Sequence, residues 1–235
     1  MIIAANLKTN LTRVQTGEYI ANLETFLQTS GVKQDVYIFP AISSLDSFQT
    51  SACVGAQNCY PTKNGAFTGE IGVDHLDEFG IKTILIGHSE RRHILGETKE
   101  QIAAKFEYFK KLGYTIVYCV GEPLEKREAG EAVMMEYIDA QYKGIDTAYE
   151  KLIIAYEPVW AIGTGLTPSS EDIKNIHTKL KEKSNAPLLY GGSVKVNNAK
   201  EIMALENVDG VLVGSAALHV EDFAQMIADA QHLES

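Results

Sequence analysis

An acidic residue at the end of an apolar run is the first feature of this sequence that suggests chemistry. Glu157 follows the run Leu152–Tyr156 and precedes Pro158 in the segment LIIAYEPVWAIGTG. Because proline disfavours the helical conformation of the preceding residue, Glu157 is expected to leave a strand in an extended conformation. A carboxylate below a loop that carries Trp160 and glycines is typical of a general base that works under a lid. A solvated glutamate in an ordinary strand-to-helix turn is the alternative.

Two further strand-like runs end in polar side chains that could act with this acid. The first run ends in Asn6-Leu7-Lys8, and side chains two residues apart on a strand face the same way, so Asn6 and Lys8 can face one site. His88 follows another such run, where a histidine could polarise a carbonyl group or move a proton between adjacent oxygens. A surface lysine and a histidine with a structural hydrogen bond are the alternatives.

Small residues follow the last two strand-like runs, in the segments LLYGGSV and DGVLVGSAAL. They leave the backbone amides of Gly192, Ser193, Gly214 and Ser215 free to approach a ligand closely. A short helix that begins near Ser215 would direct its N-terminal amides at the same point. Such amides are the usual phosphate site of a parallel α/β barrel, so the two segments predict binding of a phosphate group.

The runs that position these groups have the length and composition of strands buried on both faces of a parallel sheet. We expect strands at Ile2–Asn6, Val36–Phe39, Cys53–Gln57, Thr83–Gly87, Thr115–Val120, Leu152–Tyr156, Pro187–Tyr190 and Gly210–Val213. Amphipathic segments between them predict helices at Val14–Leu27, Ile102–Leu112, Ala132–Ala148, Ile173–Leu180 and Phe223–Leu233, and shorter ones at Ser43–Phe48 and Val73–Phe79. The first helix is expected to stop before Gly31, a residue suited to a helix C-cap.

The alternation of strands and helices predicts a single (β/α)8 barrel, the TIM-barrel class of α/β fold, that spans residues 1–235 as one domain. A doubly wound open sheet is the alternative, but no GxGxxG segment follows the first strand. Active sites of such barrels lie at the carboxyl ends of the strands. The candidate acid, histidine, lysine and small residues are all expected at those ends.

Composition narrows the possible partners. The formal net charge of −10 argues against nucleic acid and anionic membranes, and it means that an anionic substrate must be held by local positive potential. The start MIIAANLK has neither a basic leader nor a long apolar run, so no signal peptide or membrane span is expected. Cys53, Cys59 and Cys119 lack the spacing of metal ligands and are interpreted as reduced thiols of a cytoplasmic protein.

Taken in order along almost the whole chain, these segments resemble the triosephosphate isomerase family. The similarity covers NLK near the start, AQN and NGAFTGE in the third loop, then GHSERR, CVGE, AYEPVWAIGTG, YGGS and DGVLVG. The segments GHSERR and AYEPVWAIGTG are each highly specific. The family interconverts dihydroxyacetone phosphate and D-glyceraldehyde 3-phosphate through an enediolate and needs no cofactor. The resemblance therefore implies an isomerase of glycolysis, gluconeogenesis and the pentose phosphate shunt.

The resemblance also implies a role for each candidate group. Glu157 would be the base that moves the carbon-bound proton, His88 a neutral imidazole that donates to the enediolate oxygens, and Lys8 the stabilising cation. Asn6 would be a further donor to the substrate, and Glu90 would orient the region of Lys8. The substrate phosphate would bind the amides of Gly163, Ser193, Gly214 and Ser215.

Residues 158–168 resemble the family's lid, which closes over the substrate and excludes water. Trp160 lies in this lid, and the resemblance implies that Glu122 contacts it. At the far hinge, Pro168 stands where the family usually has alanine, and proline has no backbone N–H. In the family, the tyrosine that matches Tyr190 accepts a hydrogen bond from that amide when the lid closes. We expect this contact to be missing here.

The segment Gln57–Glu70 is long for a barrel connection, and long ordered loops tend to be functional. It resembles the dimer loop of the family. This implies a homodimer in which Thr68 lies next to the partner's active site and Glu70 pairs with Arg91. A mobile surface loop is the alternative.

Two functions of other classes are weighed against the isomerase. Another phosphate-handling barrel enzyme would share the segments YGGS and DGVLVG, but not Glu157 and His88 with a lid between them. A catalytically silent barrel kept for binding or scaffolding would be favoured by the loss of a catalytic group. Asn6, Lys8, His88 and Glu157 are all present, which favours the isomerase.

Overall fold

Eight parallel strands form a nearly closed barrel in a computed structural model that describes residues 1–162 and 166–233. The strands are β1 Ile2–Asn6, β2 Asp35–Phe39, β3 Cys53–Val54, β4 Thr83–Ile86, β5 Thr115–Val120, β6 Leu152–Tyr156, β7 Leu188–Tyr190 and β8 Gly210–Val213. Their order in the sheet is β3-β2-β1-β8-β7-β6-β5-β4. A parallel bridge between Ala56 and Ile84 joins the chain beyond β3 to β4. The predicted (β/α)8 barrel is confirmed.

An α-helix or a pair of helices follows each strand along the chain except β2, which only a 3-10 turn follows. The α-helices are α1 Arg13–Ser30, α2 Val73–Asp77, α3 Ser89–His93, α4 Lys99–Lys111, α5 Leu124–Glu128, α6 Glu131–Asp139, α7 Ser170–Lys181, α8 Val196–Met203 and α9 Val220–Leu233. The sequence analysis missed α3, α5 and α8, which are too short for helical periodicity to stand out. Gly31, at a φ of 61°, ends α1 as expected. None of the helices in the described ranges is long and apolar enough to cross a membrane.

The buried apolar side chains divide into an outer and an inner set because side chains alternate along each strand. Ile3 and Ala5 of β1 belong to the large outer set, which packs the strands against the helices. Ile2 and Ala4 belong to the inner set, which also contains Phe39, Leu85, Val117, Cys119, Ile153, Ala155, Leu189 and Leu212. Apolar packing of the barrel interior leaves the polar groups to the strand ends.

The helix expected over Ala132–Ala148 is wrong in its second half, since α6 stops at Asp139. Just beyond it, Gln141 turns towards the end of β5 and binds both backbone groups of Gly121. Its amide nitrogen donates to the carbonyl of Gly121 over 2.7 Å, and its amide oxygen accepts from the N–H of Gly121 over 3.2 Å. These long-range hydrogen bonds override the local helical pattern.

The short helix expected at Ser43–Phe48 is also wrong. One 3-10 turn, Ile42–Ser44, replaces it. The hydroxyl of Ser44 donates to the carbonyl of Leu11 over 2.9 Å and so ties the turn to the first loop. A contact outside the segment, and not its own apolar spacing, decides its conformation.

The third strand is shorter than the predicted Cys53–Gln57 and ends at Val54. Gln57 has left the sheet, and its side-chain nitrogen donates to the carbonyls of Lys8 and Phe39 over 2.7 and 2.8 Å. This side chain therefore supports the loop that carries the candidate lysine. The remaining strand boundaries differ from expectation by at most one residue, the usual uncertainty at element ends.

Candidate active site

The acid and the histidine meet at the carboxyl ends of β6 and β4. Glu157 is 2% exposed and His88 is 7% exposed. Oε1 of Glu157 lies 2.9 Å from Nε2 of His88, and its Oε2 accepts a hydrogen bond of 2.8 Å from the backbone N–H of Ser89. The carboxylate is therefore buried, oriented at both oxygens and in direct contact with an imidazole.

Opposing influences set the protonation of this pair. Burial alone would lower the pKa of His88, but the carboxylate of Glu157 outweighs it and the pKa is raised while the two side chains touch. Burial would raise the pKa of Glu157, but His88 and the amide of Ser89 lower it, so the acid stays ionised. The amide of Glu90 donates to Nδ1 of His88 over 3.3 Å, which directs Nε2, with its proton, towards Glu157.

Lys8 reaches the same place through an unusual turn. Its φ of 51° lies in the left-handed region, where residues other than glycine are strained. The side chain of Asn6 accepts from its backbone N–H over 3.0 Å, and Gln57 holds its carbonyl. Its Nζ lies 2.6 Å from Oε1 of Glu90. Asn6 and Lys8 were expected to face one site because side chains alternate along a strand. Alternation does not produce this geometry, because Lys8 lies beyond the end of β1.

A cavity of about 330 Å³ joins these groups to the small residues that follow β7 and β8. A 3-10 helix, Ser215–Leu218, begins where a short helix was expected. We call one part of the lining the acid–base wall, which consists of Asn6, Lys8, His88 and Glu157. We call another part the small-residue wall, which consists of Gly192, Ser193, Gly214 and Ser215. Both parts line the one cavity, and Gly163 lies outside the described residues.

Two glycines that the sequence analysis did not single out give Glu157 its space. A Cβ atom on Gly121 would collide with the carbonyl group of Glu157, and one on Gly191 would lie 3.1 Å from its Cγ. Gly191 comes directly after Tyr190, in the YGGS segment. Its position in that motif is the available sequence signal, but the motif by itself predicts only an anion site.

The N-terminal part of the lid contacts a buried carboxylate. Nε1 of Trp160 donates to Oε1 of Glu122 over 3.1 Å, and the hydroxyl of Tyr156 donates to the same oxygen over 3.0 Å. The guanidinium carbon of Arg127 lies 4.7 Å from the centre of a Trp160 ring. Burial raises the pKa of Glu122, whereas these donors act in the opposite direction. The expected contact between Glu122 and the lid tryptophan is present in this conformation.

The tyrosine beneath the small-residue wall has an unsatisfied hydroxyl. Tyr190 is fully buried, and its hydroxyl has no hydrogen-bond partner within residues 1–162 and 166–233. A Cβ atom on Gly192 would collide with this hydroxyl, which places the tyrosine directly under the wall. His177 packs 6.2 Å from the Tyr190 ring and is itself buried. Pro168, at the lid's far hinge, is buried as well.

Of the expected dimer residues, Glu70 and Arg91 line a second cavity, of about 590 Å³, which shares Lys8 and His88 with the first, whereas Thr68 is not part of its lining. Within the described part of one chain, Arg91 pairs with Glu97 over 3.1 Å and not with Glu70. Glu70 and Thr68 are exposed. A pairing of Glu70 with Arg91 requires another arrangement than that of the single chain.

Two large apolar side chains are exposed beside this second cavity. Ile94 is 76% exposed and Leu95 is 65% exposed, and both line the cavity. Phe67, in the loop Gln57–Glu70, is 41% exposed. Adjacent exposed apolar side chains of this size are typical of a surface that another protein covers.

No group of three or more potential metal ligands occurs among the residues that the structure describes. The buried thiol of Cys119 packs behind Glu157, where burial raises its pKa well above the ordinary value. It therefore stays protonated and serves as packing. The chemistry of the cavity rests on a carboxylate, an imidazole and an ammonium group.

Residues 1–230 match the family model described as triosephosphate isomerase. A triosephosphate isomerase from Sulfurimonas denitrificans is 66% identical over 234 residues, which cover 100% of this chain and 98% of the relative. One from a Sulfurovum species is 56% identical over 97% of this chain and 99% of its own length. One from Wolinella succinogenes is 53% identical, with the same coverage.

Proposed function

Because the chain belongs to the triosephosphate isomerase family, we propose that it interconverts dihydroxyacetone phosphate and D-glyceraldehyde 3-phosphate through an enediolate. The observation that carries this proposal is the position of Glu157, His88 and Lys8 on one cavity, which the small-residue wall completes. A base, an electrophile and an anion site within one cavity are what proton transfer next to a carbonyl of a phosphorylated triose needs.

Glu157 removes the carbon-bound proton and returns it to the neighbouring carbon. The substrate enters between the carboxylate and His88, which separates two side chains that are 2.9 Å apart in this structure. The separation removes the main influence that lowers the pKa of Glu157, and burial then raises that pKa. Substrate binding thus makes the carboxylate a stronger base when the base is needed.

The same separation keeps His88 neutral. Without the Glu157 carboxylate beside it, burial is the strongest influence, and burial lowers the pKa of an imidazole. The neutral ring then donates from Nε2 to the substrate oxygens, because the Glu90 amide occupies Nδ1. Lys8 stabilises the negative charge that develops on these oxygens, and Asn6 adds a further donor.

The phosphate group binds at the small-residue wall, through amides of Ser193, Gly214 and Ser215 together with Gly163 of the lid. Pro158, Trp160 and Ile162 supply an apolar cover that excludes water from the enediolate. Exclusion of water also suppresses the loss of phosphate from this intermediate. We assign the reaction to glycolysis, gluconeogenesis and the pentose phosphate shunt in the cytoplasm, with no cofactor and no nucleic-acid or membrane partner.

We further propose that the protein acts as a homodimer. Ile94 and Leu95, which are exposed and line the second cavity, form its apolar contact. Thr68 of each chain inserts next to the partner's active site, and Glu70 pairs with Arg91. Sedimentation at several concentrations tests the assembly. A monomer at micromolar concentration would contradict it, and Ile94→Lys should dissociate a true dimer.

A coupled isomerisation assay with glyceraldehyde 3-phosphate tests the function. The wild type should turn over, and Glu157→Gln should lose about 10³-fold in kcat, within the range for removal of a general base. Glu125→Gln, which changes the same residue type outside the cavity, is the control. An inactive wild type would reject the function, whereas a fully active Glu157→Gln would reject only this base.

A further inference from the structure

The acid–base wall offers little net attraction to an incoming phosphate. Lys8 is bound to the carboxylate of Glu90 at 2.6 Å, so its charge is largely compensated. Glu157 adds a negative charge of its own, which its contact with His88 only partly offsets. The whole chain carries a formal charge of −10. A phosphate ester, with a charge of about −1.5 to −2 at pH 7, is repelled on approach unless a further cation acts on it.

Lys195 is that further cation. It is exposed, and it lines the same cavity as Ser193 and Gly214. Within the described ranges of the chain its ammonium group makes no ion pair, in contrast to Lys8. It is therefore the uncompensated positive side chain of the cavity lining that the structure describes.

The backbone of Lys195 is held in a fixed place beside the small-residue wall. The side chain of Asn198, in the first turn of α8, accepts a hydrogen bond of 2.7 Å from the N–H of Lys195. The same side chain donates to the carbonyl of Ser193 over 3.1 Å. Asn198 thus fixes the turn that carries both the candidate phosphate ligand and the lysine.

We propose that Lys195 draws the phosphate group of the triose phosphate to the small-residue wall and sets the rate of substrate capture. This inference rests on the proposed function. The attraction between charges near the surface extends over about 8 Å at physiological ionic strength, so Lys195 acts whichever rotamer it adopts. Backbone amides hold the phosphate once it has arrived, but their field is short-ranged. Lys195 therefore captures the phosphate group, and the adjacent backbone amides retain it.

The test compares Lys195→Gln and Lys195→Glu with the wild type in the isomerisation assay at several ionic strengths. Lys143→Gln and Lys143→Glu are matched controls, because Lys143 is exposed and lies outside the cavity. Its two substitutions change the net charge of the protein by the same amounts as those of Lys195. At low ionic strength we expect kcat/KM to fall about threefold for Lys195→Gln and about tenfold for Lys195→Glu, while kcat is kept. At about 0.5 M salt the difference should vanish.

Two results would overturn the proposal. Equal losses in the Lys143 and Lys195 variants would assign the effect to overall charge, and a loss that persists at high salt would assign it to a disturbed turn. Titration calorimetry with inorganic phosphate gives a readout that does not depend on turnover: Lys195→Gln should weaken binding about threefold, again only at low salt. If the wild type binds phosphate in this way but does not isomerise triose phosphates, the proposed function fails and the role of Lys195 stands.

Discussion

The two walls of the cavity differ in how their polar groups are satisfied. On the acid–base wall, Glu157, His88 and Lys8 are bound to one another or to Glu90 at 2.6 to 2.9 Å. Next to the small-residue wall, Lys195 has no ion pair and the hydroxyl of Tyr190 has no partner among the described residues. In the proposed reaction the substrate must separate groups that neutralise one another, whereas anion binding depends on groups that no described residue neutralises.

Two adjacent glycines, Gly191 beside Glu157 and Gly192 in the small-residue wall, allow the difference to be tested. Gly191→Ala places a methyl group 3.1 Å from Cγ of Glu157 and should displace the base, because this is tighter than ordinary van der Waals contact. We expect kcat to fall about tenfold with little change in KM, since positioning errors act on the chemical step. Steady-state kinetics measures both constants. A change in KM alone would mean that Gly191 serves phosphate binding instead.

Gly192→Ala is the matched variant on the other side. Its methyl group collides with the hydroxyl of Tyr190 and presses on Pro158. Overpacking of this kind costs about 1–3 kcal/mol, so the free energy of unfolding should fall by that amount. Urea denaturation measures it. The comparison of the walls would be wrong if Gly192→Ala impaired kcat more than Gly191→Ala at equal stability.

The histidine beneath the small-residue wall should make stability depend on pH. Burial lowers the pKa of His177 to about 4, from an ordinary value of 6.5. Between these values the unfolded chain binds a proton that the folded chain does not, so this contribution to stability is lost as the pH falls from 6.5 towards 4. His177→Asn should flatten the slope of unfolding free energy against pH by up to about 1.4 kcal/mol per unit. Urea unfolding at a series of pH values measures both slopes. Equal slopes for the wild type and His177→Asn would contradict this role of His177.

The smallest effect is expected at Tyr190. Its hydroxyl is buried without a described partner, so Tyr190→Phe removes an unsatisfied polar group and should stabilise the fold by about 1 kcal/mol. Turnover should stay within about threefold of the wild type, because Pro168 offers no amide to this hydroxyl. Urea denaturation and the isomerisation assay measure the two effects. A large loss of turnover would mean that the hydroxyl has a role in closing the lid.

The sequence was most informative where one short segment determines the structure. Glu157 could be placed at a strand end because an apolar run and Pro158 flank it directly, and the barrel followed from repeated runs of the same kind. The positions of Asn6 and His88 at the cavity rest on the same argument.

Features that depend on distant contacts were missed. The left-handed backbone of Lys8 and the end of α6 are fixed by Gln57 and Gln141, whose partners lie far away in the chain. Lys195 carries no sequence signal at all, because only the fold reveals which lysines line the cavity and that Lys195, unlike Lys8, has no carboxylate beside it among the described residues. Local pattern predicts elements and strand ends, whereas charge balance and loop geometry are properties of the assembled molecule.

Neighbouring strands of the barrel are joined by unequal numbers of paired residues, and this affects where the fold opens locally. Between β5 and β6 five residue pairs are in register, whereas β4 meets the chain beyond β3 through the bridge at Ala56, with hydrogen bonds of 2.9 and 2.8 Å. Local opening starts where the fewest backbone bonds must break, so amide protons at this seam should exchange with solvent before those of β5. The seam adjoins the loop Gln57–Glu70, on which the proposed dimer contact depends. A partner subunit would therefore stabilise the weakest seam of the barrel, and dilution would loosen that seam first.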